Sequence, residues 1–170
     1  MGLEAGNRHE DCPFLNTWVR MMHVRLVGQE DDAEWTRMRD ILWPGLSHSA
    51  HKSDIAEFRA DQTTKAVFVI DRGNGLLGGF LETGTRKYAD GCETSPVGYI
   101  EGWHVDPDLR RGGWGRKLVE AAEGWARARG YAELASDCLL DNEISFKAHT
   151  ALGYVETERL IHFRKTLAPD

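Results

Sequence analysis

The sequence predicts a mixed α/β fold, one sheet with helices on both faces. Three observations carry this. Strand-like apolar runs alternate with segments of helical period, residues 97–129 read as strand, Gly-rich turn and helix, and 170 residues suit one domain able to bury its own core. In chain order the elements read β α α β β β α β α β.

The first 21 residues lack a basic start, a long apolar stretch and a small-residue cleavage site, so they do not read as a secretory signal. They are expected to be an extension, 1–21, with the functional domain over 22–170. Patterning begins at Met22, with His23-Val24-Arg25-Leu26-Val27 as a strand. Asp31 then opens a helix in which Glu34 completes a capping-box pattern and Trp35, Met38 and Leu42 recur at helical spacing, until Pro44-Gly45 stops it. A second helix spans 53–60 on Ile55 and Phe58. The continuous apolar run Ala66 to Ile70 suits a strand covered on both faces.

Asn74-Gly75 predicts a type I′ hairpin turn into the strand Leu76 to Arg86. Gly73-Asn74-Gly75-Leu76-Leu77-Gly78 matches the GxGxxG pattern, but a dinucleotide fingerprint must open a helix and this one opens a strand. After a loop, 87–96, come the strand Val97 to Val105 and a helix over 113–129 buried through Leu118, Ala122, Trp125 and Ala126, with Gly130 ending it. The strand Ala132 to Cys138, a helix capped by Asp141 and closed by Gly153, and a last strand from Tyr154 to about Lys165 complete the reading.

Composition narrows the function. Apolar residues at 41% and charged residues at 28% are globular values, and no apolar run is long enough for a membrane span. A formal charge of -6 argues against nucleic acid and anionic lipid as partners, and favours a cationic small molecule. Cys12, Cys92 and Cys138 are odd in number and form no CxxC, which suits a reducing cytoplasm. His48 and His51 read as solvated histidines rather than ligands, so no metal is expected.

The chemistry concentrates after Val105. Pro107 breaks the strand, Gly112, Gly113 and Gly115 let backbone amides converge at a helix start, and Arg110, Arg111, Arg116 and Lys117 add four cations. Converging N–H groups at the positive end of a helix dipole make a pyrophosphate cradle. Glu101 interrupts the apolar strand before it, where an unpaired carboxylate facing the core costs several kcal/mol, so it is expected to face a cleft. Gly102 beside it is compatible with a bulge. Asp137 lies similarly at the end of Ala135-Ser136-Asp137, and Glu158 in the terminal strand.

Arg110-x-x-Gly113-x-Gly115 resembles the acetyl-CoA signature, R/Q-x-x-G-x-G/A, of the GCN5-related N-acetyltransferase (GNAT) superfamily, and Asn142 followed by Gly153-Tyr154 adds to it. Further pieces resemble the chromosomally encoded Gram-negative aminoglycoside 6'-N-acetyltransferases: Leu42-Trp43-Pro44-Gly45, Tyr88, Ser95-Pro96-Val97, Glu101-Gly102, Ala135-Ser136-Asp137, Asn142-x-x-Ser145, His149-x-Ala151-Leu152-Gly153 and Glu156-Thr157-Glu158-Arg159, covering residues 22–165.

The resemblance implies the GNAT acyl-CoA N-acyltransferase fold, acetyl-CoA as cosubstrate, a homodimer and resistance to aminoglycosides. Trp43, Tyr88, Glu101, Asp137 and Glu158 would line the drug pocket, where carboxylates meet ammonium groups and aromatic faces meet sugar rings. Acetyl-CoA would lie along Trp103, His104 and Val105 and over the turn Arg110, Arg111, Gly112, Gly113, Trp114, Gly115 and Arg116, with Asn142 bonding the pantetheine arm. His149 stands where members often carry a thiolate-protonating Tyr. Leu46 replaces a pocket His, Trp103 a smaller aliphatic residue and Tyr154 a Phe.

The expected reaction is direct attack of the neutral 6'-amine on the thioester, with Glu101 or Asp137 as base and strand amides at Trp103 to Val105 holding the oxyanion. Two alternatives remain at this level: acetylation of a polyamine or a peptide or protein amine, and a non-catalytic CoA- or aminoglycoside-binding protein.

Overall fold

The computed structural model describes residues 22–167. The extension predicted over 1–21, and Cys12 within it, lie outside the described residues. The strands are β1 (His23–Leu26), β2 (Lys65–Asp71), β3 (Leu77–Arg86), β4 (Val97–Val105) and β5 (Leu134–Ser136), and the helices α1 (Asp32–Leu42), α2 (His48–Ala60), α3 (Trp114–Ala128) and α4 (Glu143–Ala151). The sheet runs β1-β2-β3-β4-β5, antiparallel except for the parallel pair β4 and β5.

Strand alternation sorts the core into two layers. Val67, Val69 and Phe80 face one side, where Trp35 and Met38 of α1 and Ile55 of α2 pack on them. Ile70, Leu81 and Ile100 face the other, under Leu118, Val119 and Ala122 of α3. Helices therefore cover both faces, as the patterning predicts.

Several local expectations are corrected. Asp31 precedes α1 but does not cap it: its carboxylate accepts from Gly28 N at 2.6 Å and from Arg25, while Glu34 turns to Arg37 and to Leu77 N. Helix α2 starts at His48, five residues before the apolar pattern, because Ser47 accepts a capping bond from Ala50 N. The hairpin is not type I′: Gly73 (φ 78°) and Gly75 (φ 84°) supply the left-handed positions in a longer loop, closed by Arg72 N donating to Leu76 O. The cap of α4 is Asn142 rather than Asp141, its Oδ1 accepting from Ser145 N at 3.0 Å. β5 is shorter than predicted.

The last strand expected over Tyr154 to Lys165 does not form: residues 154–167 carry no regular structure. β5 offers three paired residues, too short an edge to hold a long partner, and Val155, Ile161 and Phe163 stand 82%, 76% and 92% exposed.

The feature that shapes the site lies in β4. Glu82 pairs with Gly102 and the next residue, Thr83, with Ile100, so Glu101 is the extra residue of a β-bulge. Beyond it the sheet opens, since the β4–β5 pairing ends at Ile100 with Ser136.

Beneath the opening lies a buried polar network absent from the sequence reading. Glu82, 1% exposed, accepts from Trp35 Nε1 at 2.7 Å and from the Arg39 guanidinium, which also reaches Asp54 and donates from Nε to His51 Nδ1 at 3.3 Å. His51, read as solvated, is fully buried here, because α2 begins early enough to carry it under α1. Burial pushes the Glu82 carboxyl up to about 7 against the pull of Arg39 and Trp35.

A folded value of about 7 above an unfolded one of 4.5 means that Glu82's contribution to stability is greatest at low pH and declines as pH rises between those values. Arg39→Met should cost about 3–5 kcal/mol in urea unfolding, more at pH 8 than at pH 5, because ionised Glu82 needs the guanidinium most. An equal loss at both pH values would contradict the pairing.

Candidate active site

Three groups of residues carry the roles expected around the bulge in β4. The first is the turn between β4 and α3. Asp106 anchors it: its N–H donates to Gly78 O at 2.9 Å, and its carboxylate receives Arg37 at 3.3 Å and Arg72 at 3.1 Å, with His104 Nε2 3.2 Å away. Burial raises the Asp106 carboxyl, but bonds from His104, Arg37 and Arg72 outweigh it and hold it below the usual range. His104 is pushed down, mainly by its own burial. Arg110 Nε donates to Val105 O at 3.0 Å.

Arg111 (φ 62°) and Gly113 (φ 80°) both adopt the left-handed conformation, which wraps the chain into the start of α3. The first bond of the helix is Lys117 N to Gly113 O, so the N–H groups of Trp114, Gly115 and Arg116 have no intrahelical acceptor. Gly115 is needed for close packing, since a Cβ there would stand 2.8 Å from Trp103 Cζ2. With Arg110, Arg111 and Gly112 exposed, the turn offers free amides, a helix dipole and cations to an anion, and these fit the diphosphate of acetyl-CoA.

The second group is acidic and aromatic. Glu101 is held by the guanidinium of Arg86, Nε to Oε1 at 2.9 Å and Nη2 to Oε2, and that guanidinium lies 3.4 Å from the centre of the Tyr99 ring. Asp137 follows β5 directly, exposed and near enough to Tyr99 and Arg86 to act on both electrostatically. Burial, then Asp137, pushes the Tyr99 hydroxyl up to about 12. Trp43 caps the far side of the bulge: a Cβ on Gly102 would come 2.4 Å from Trp43 Cη2, and Arg39 sits 4.6 Å from the indole centre.

Tyr88 is 68% exposed, and the hydrogen bond its hydroxyl donates to Asp90 raises it, with smaller contributions from the negative charges of Asp90 and Glu158. Leu46, 44% exposed, follows Trp43, whose carbonyl accepts from Leu46 N at 3.1 Å.

The third group is on α4. Asn142 spends Oδ1 on its cap, which leaves its amide NH₂ for a ligand. His149 Nδ1 lies 2.8 Å from Ser145 O and Nε2 3.0 Å from Ser136 Oγ, so both ring nitrogens are engaged and the imidazole joins α4 to β5. It packs edge-on against Trp103 and Tyr154, at 5.4 and 5.2 Å between ring centres.

Sequence reasoning missed Arg86, Arg39 and Glu82. Glu82 interrupts an apolar strand as Glu101 does, so the same signal was present; Arg86 leaves none, since only the folded register brings it across to Glu101. A concavity of about 1070 Å³ lies elsewhere, between α1 and α2, and shares only Arg37 with these groups. Among the described residues no three His, Cys, Asp or Glu side chains gather as a metal site.

Comparison with known proteins identifies the family. The model of the acetyltransferase (GNAT) family matches residues 35–154. An aminoglycoside N(6')-acetyltransferase type 1 from Klebsiella aerogenes is 43% identical over 146 residues, covering 85% of this chain and 96% of that protein, and one from Stenotrophomonas maltophilia is 37% identical over 86% and 94%. Among solved structures, AAC(6')-Iy in complex with the bisubstrate analogue CoA-S-monomethyl-acetylneamine superposes with a TM-score of 0.80 at 36% identity, over 86% of this chain and 99% of that one. The unliganded AAC(6')-IG of Acinetobacter haemolyticus does so with 0.80 at 32%, over 86% and 100%. The chain belongs to the acetyltransferase (GNAT) family, among the aminoglycoside N(6')-acetyltransferases.

Proposed function

We propose that this protein uses acetyl-CoA to acetylate the 6'-amine of aminoglycoside antibiotics, and so confers resistance to them, through one domain over 22–170. The carrying observation is the opening at Glu101, which sets the amide-lined, cationic turn on one side of β4 and the carboxylates of Glu101 and Asp137 on the other. The relatives carry the same name, and one is solved with a CoA–neamine bisubstrate analogue.

In this reading Trp103, His104 and Val105 present strand backbone without a β5 partner to the thioester, and the N–H groups of Trp103 and Val105, which point away from β3, hold the developing oxyanion. The turn Arg110 to Arg116 holds the diphosphate, Asn142 the pantetheine amide, and His149 fixes Ser136 and Trp103 in place. The amine arrives protonated, so a base must take one proton before the nitrogen attacks the thioester carbonyl; the C–S bond then breaks, and CoA leaves as a thiolate that takes up the proton the new amide nitrogen sheds. Asp137 suits that step better than Glu101, because it is exposed to water while both oxygens of Glu101 are engaged by the Arg86 fork. Glu101, Glu158, Trp43 and Tyr88 bind the drug, with Leu46 at the rim. An acidic chain with free Cys92 and Cys138 suits a cytoplasmic enzyme with a cationic substrate and no nucleic acid or membrane partner. No described helix is long and apolar enough to cross a membrane.

Thiol release with kanamycin, spermidine and peptide amines, with the acetylated position located by NMR, tests the reading; turnover of peptide amines alone, or no thiol release with any amine, would overturn it. Asp137→Asn should lower kcat/KM about 100-fold, and Glu101→Gln should act mainly through the aminoglycoside KM. Unchanged kcat/KM for Asp137→Asn from pH 6 to pH 9 would remove its base role.

A homodimer is part of the proposal, supported by the exposure of Val155, Ile161, Phe163 and Leu167 in the segment after α4 and by the short edge strand β5. Light scattering should give twice the chain mass, and Ile161→Glu with Phe163→Glu should halve it; a monomeric wild type would refute the dimer.

A further inference from the structure

Arg86 ends β3, just before the loop 87–96, and takes no direct part in the acetyl transfer above. Yet its guanidinium occupies what an amino sugar would seek: it engages both oxygens of Glu101 and lies 3.4 Å from the centre of the Tyr99 ring. Asp137 is close enough to act on the same guanidinium electrostatically. An ammonium could still reach the free lone pairs of Glu101, but a sugar ring cannot share the Tyr99 face with Arg86.

We propose that Arg86 is a specificity-determining residue, an internal counter-cation that a cationic substrate must displace from Glu101 and Tyr99. The inference rests on the aminoglycoside reading above. Displacement is inexpensive, because the side chain is 42% exposed and Glu101 31% exposed, so the guanidinium can swing into solvent from the strand end. It is also selective. A monoamine replaces one cation by another and gains little, whereas a polycation keeps further ammonium groups for Asp137 and Glu158. Arg86 thus screens out single amines and admits aminoglycosides.

The test compares wild type, Arg86→Gln and Arg86→Lys, with kanamycin as substrate and methyl 6-amino-6-deoxyglucoside as a competing monoamine. Arg86→Gln should lower the kanamycin KM about threefold and the monoamine Ki by a larger factor, with the acetyl-CoA KM and the melting temperature unchanged. Arg86→Lys keeps the charge and loses the fork, so its kanamycin KM should stay within about twofold of wild type. If the fork merely orients Glu101, KM should instead rise in both variants, which would overturn the inference. An unchanged KM and Ki in Arg86→Gln would also overturn it, and should that variant fail to fold, a raised KM in Arg86→Lys would. Wild-type enzyme inactive on kanamycin would refute the functional reading and this inference together.

Discussion

A strand pair that gains one residue on one side must bend, and the extra residue has nothing opposite it. In β4 that residue is Glu101, and the bend coincides with the end of pairing to β5. Had the register stayed even, Gly102 to Val105 could have continued the ladder and no crevice would separate the strands. The bulge therefore makes the cleft and supplies its first carboxylate in one local change. Gly102 lets Trp43 close over the bend, and the split leads directly into the turn that Asp106 anchors.

The polar network below that opening joins the elements around it. Arg39 touches Glu82 in β3, Asp54 and His51 in α2, and the ring of Trp43. One guanidinium thus ties the sheet, both helices of one layer and the aromatic lid of the bulge. Apolar packing alone would stabilise the same layer, but would set the height of Trp43 over Gly102 less sharply.

Much of this was legible in the residues. The fold class, the strand Val97–Val105, the bulge beside Gly102, the Gly-rich turn and the end of α3 at Gly130 follow from local chemistry that few residues can supply. What escaped depends on partners distant in sequence. The sequence assigns Glu101 to a cleft but does not show its partner, because Arg86 reaches it only through the β3–β4 register. His51 was misread since its polar turn shows no apolar period, though a serine cap starts α2 early and buries it. The strand expected after Tyr154 has suitable residues, but a strand exists only with an edge to join, and β5 supplies three positions.

The contact of Trp103 with Gly115 bears on how such a chain can drift. The signature of the superfamily tolerates alanine at that glycine, but here a methyl group would press on the indole at 2.8 Å. The ring is wedged between α3 and His149 and has little room to retreat. Mutational order is thereby constrained: the indole must shrink before position 115 can grow. The bulky tryptophan has turned a permissive site into a locked one.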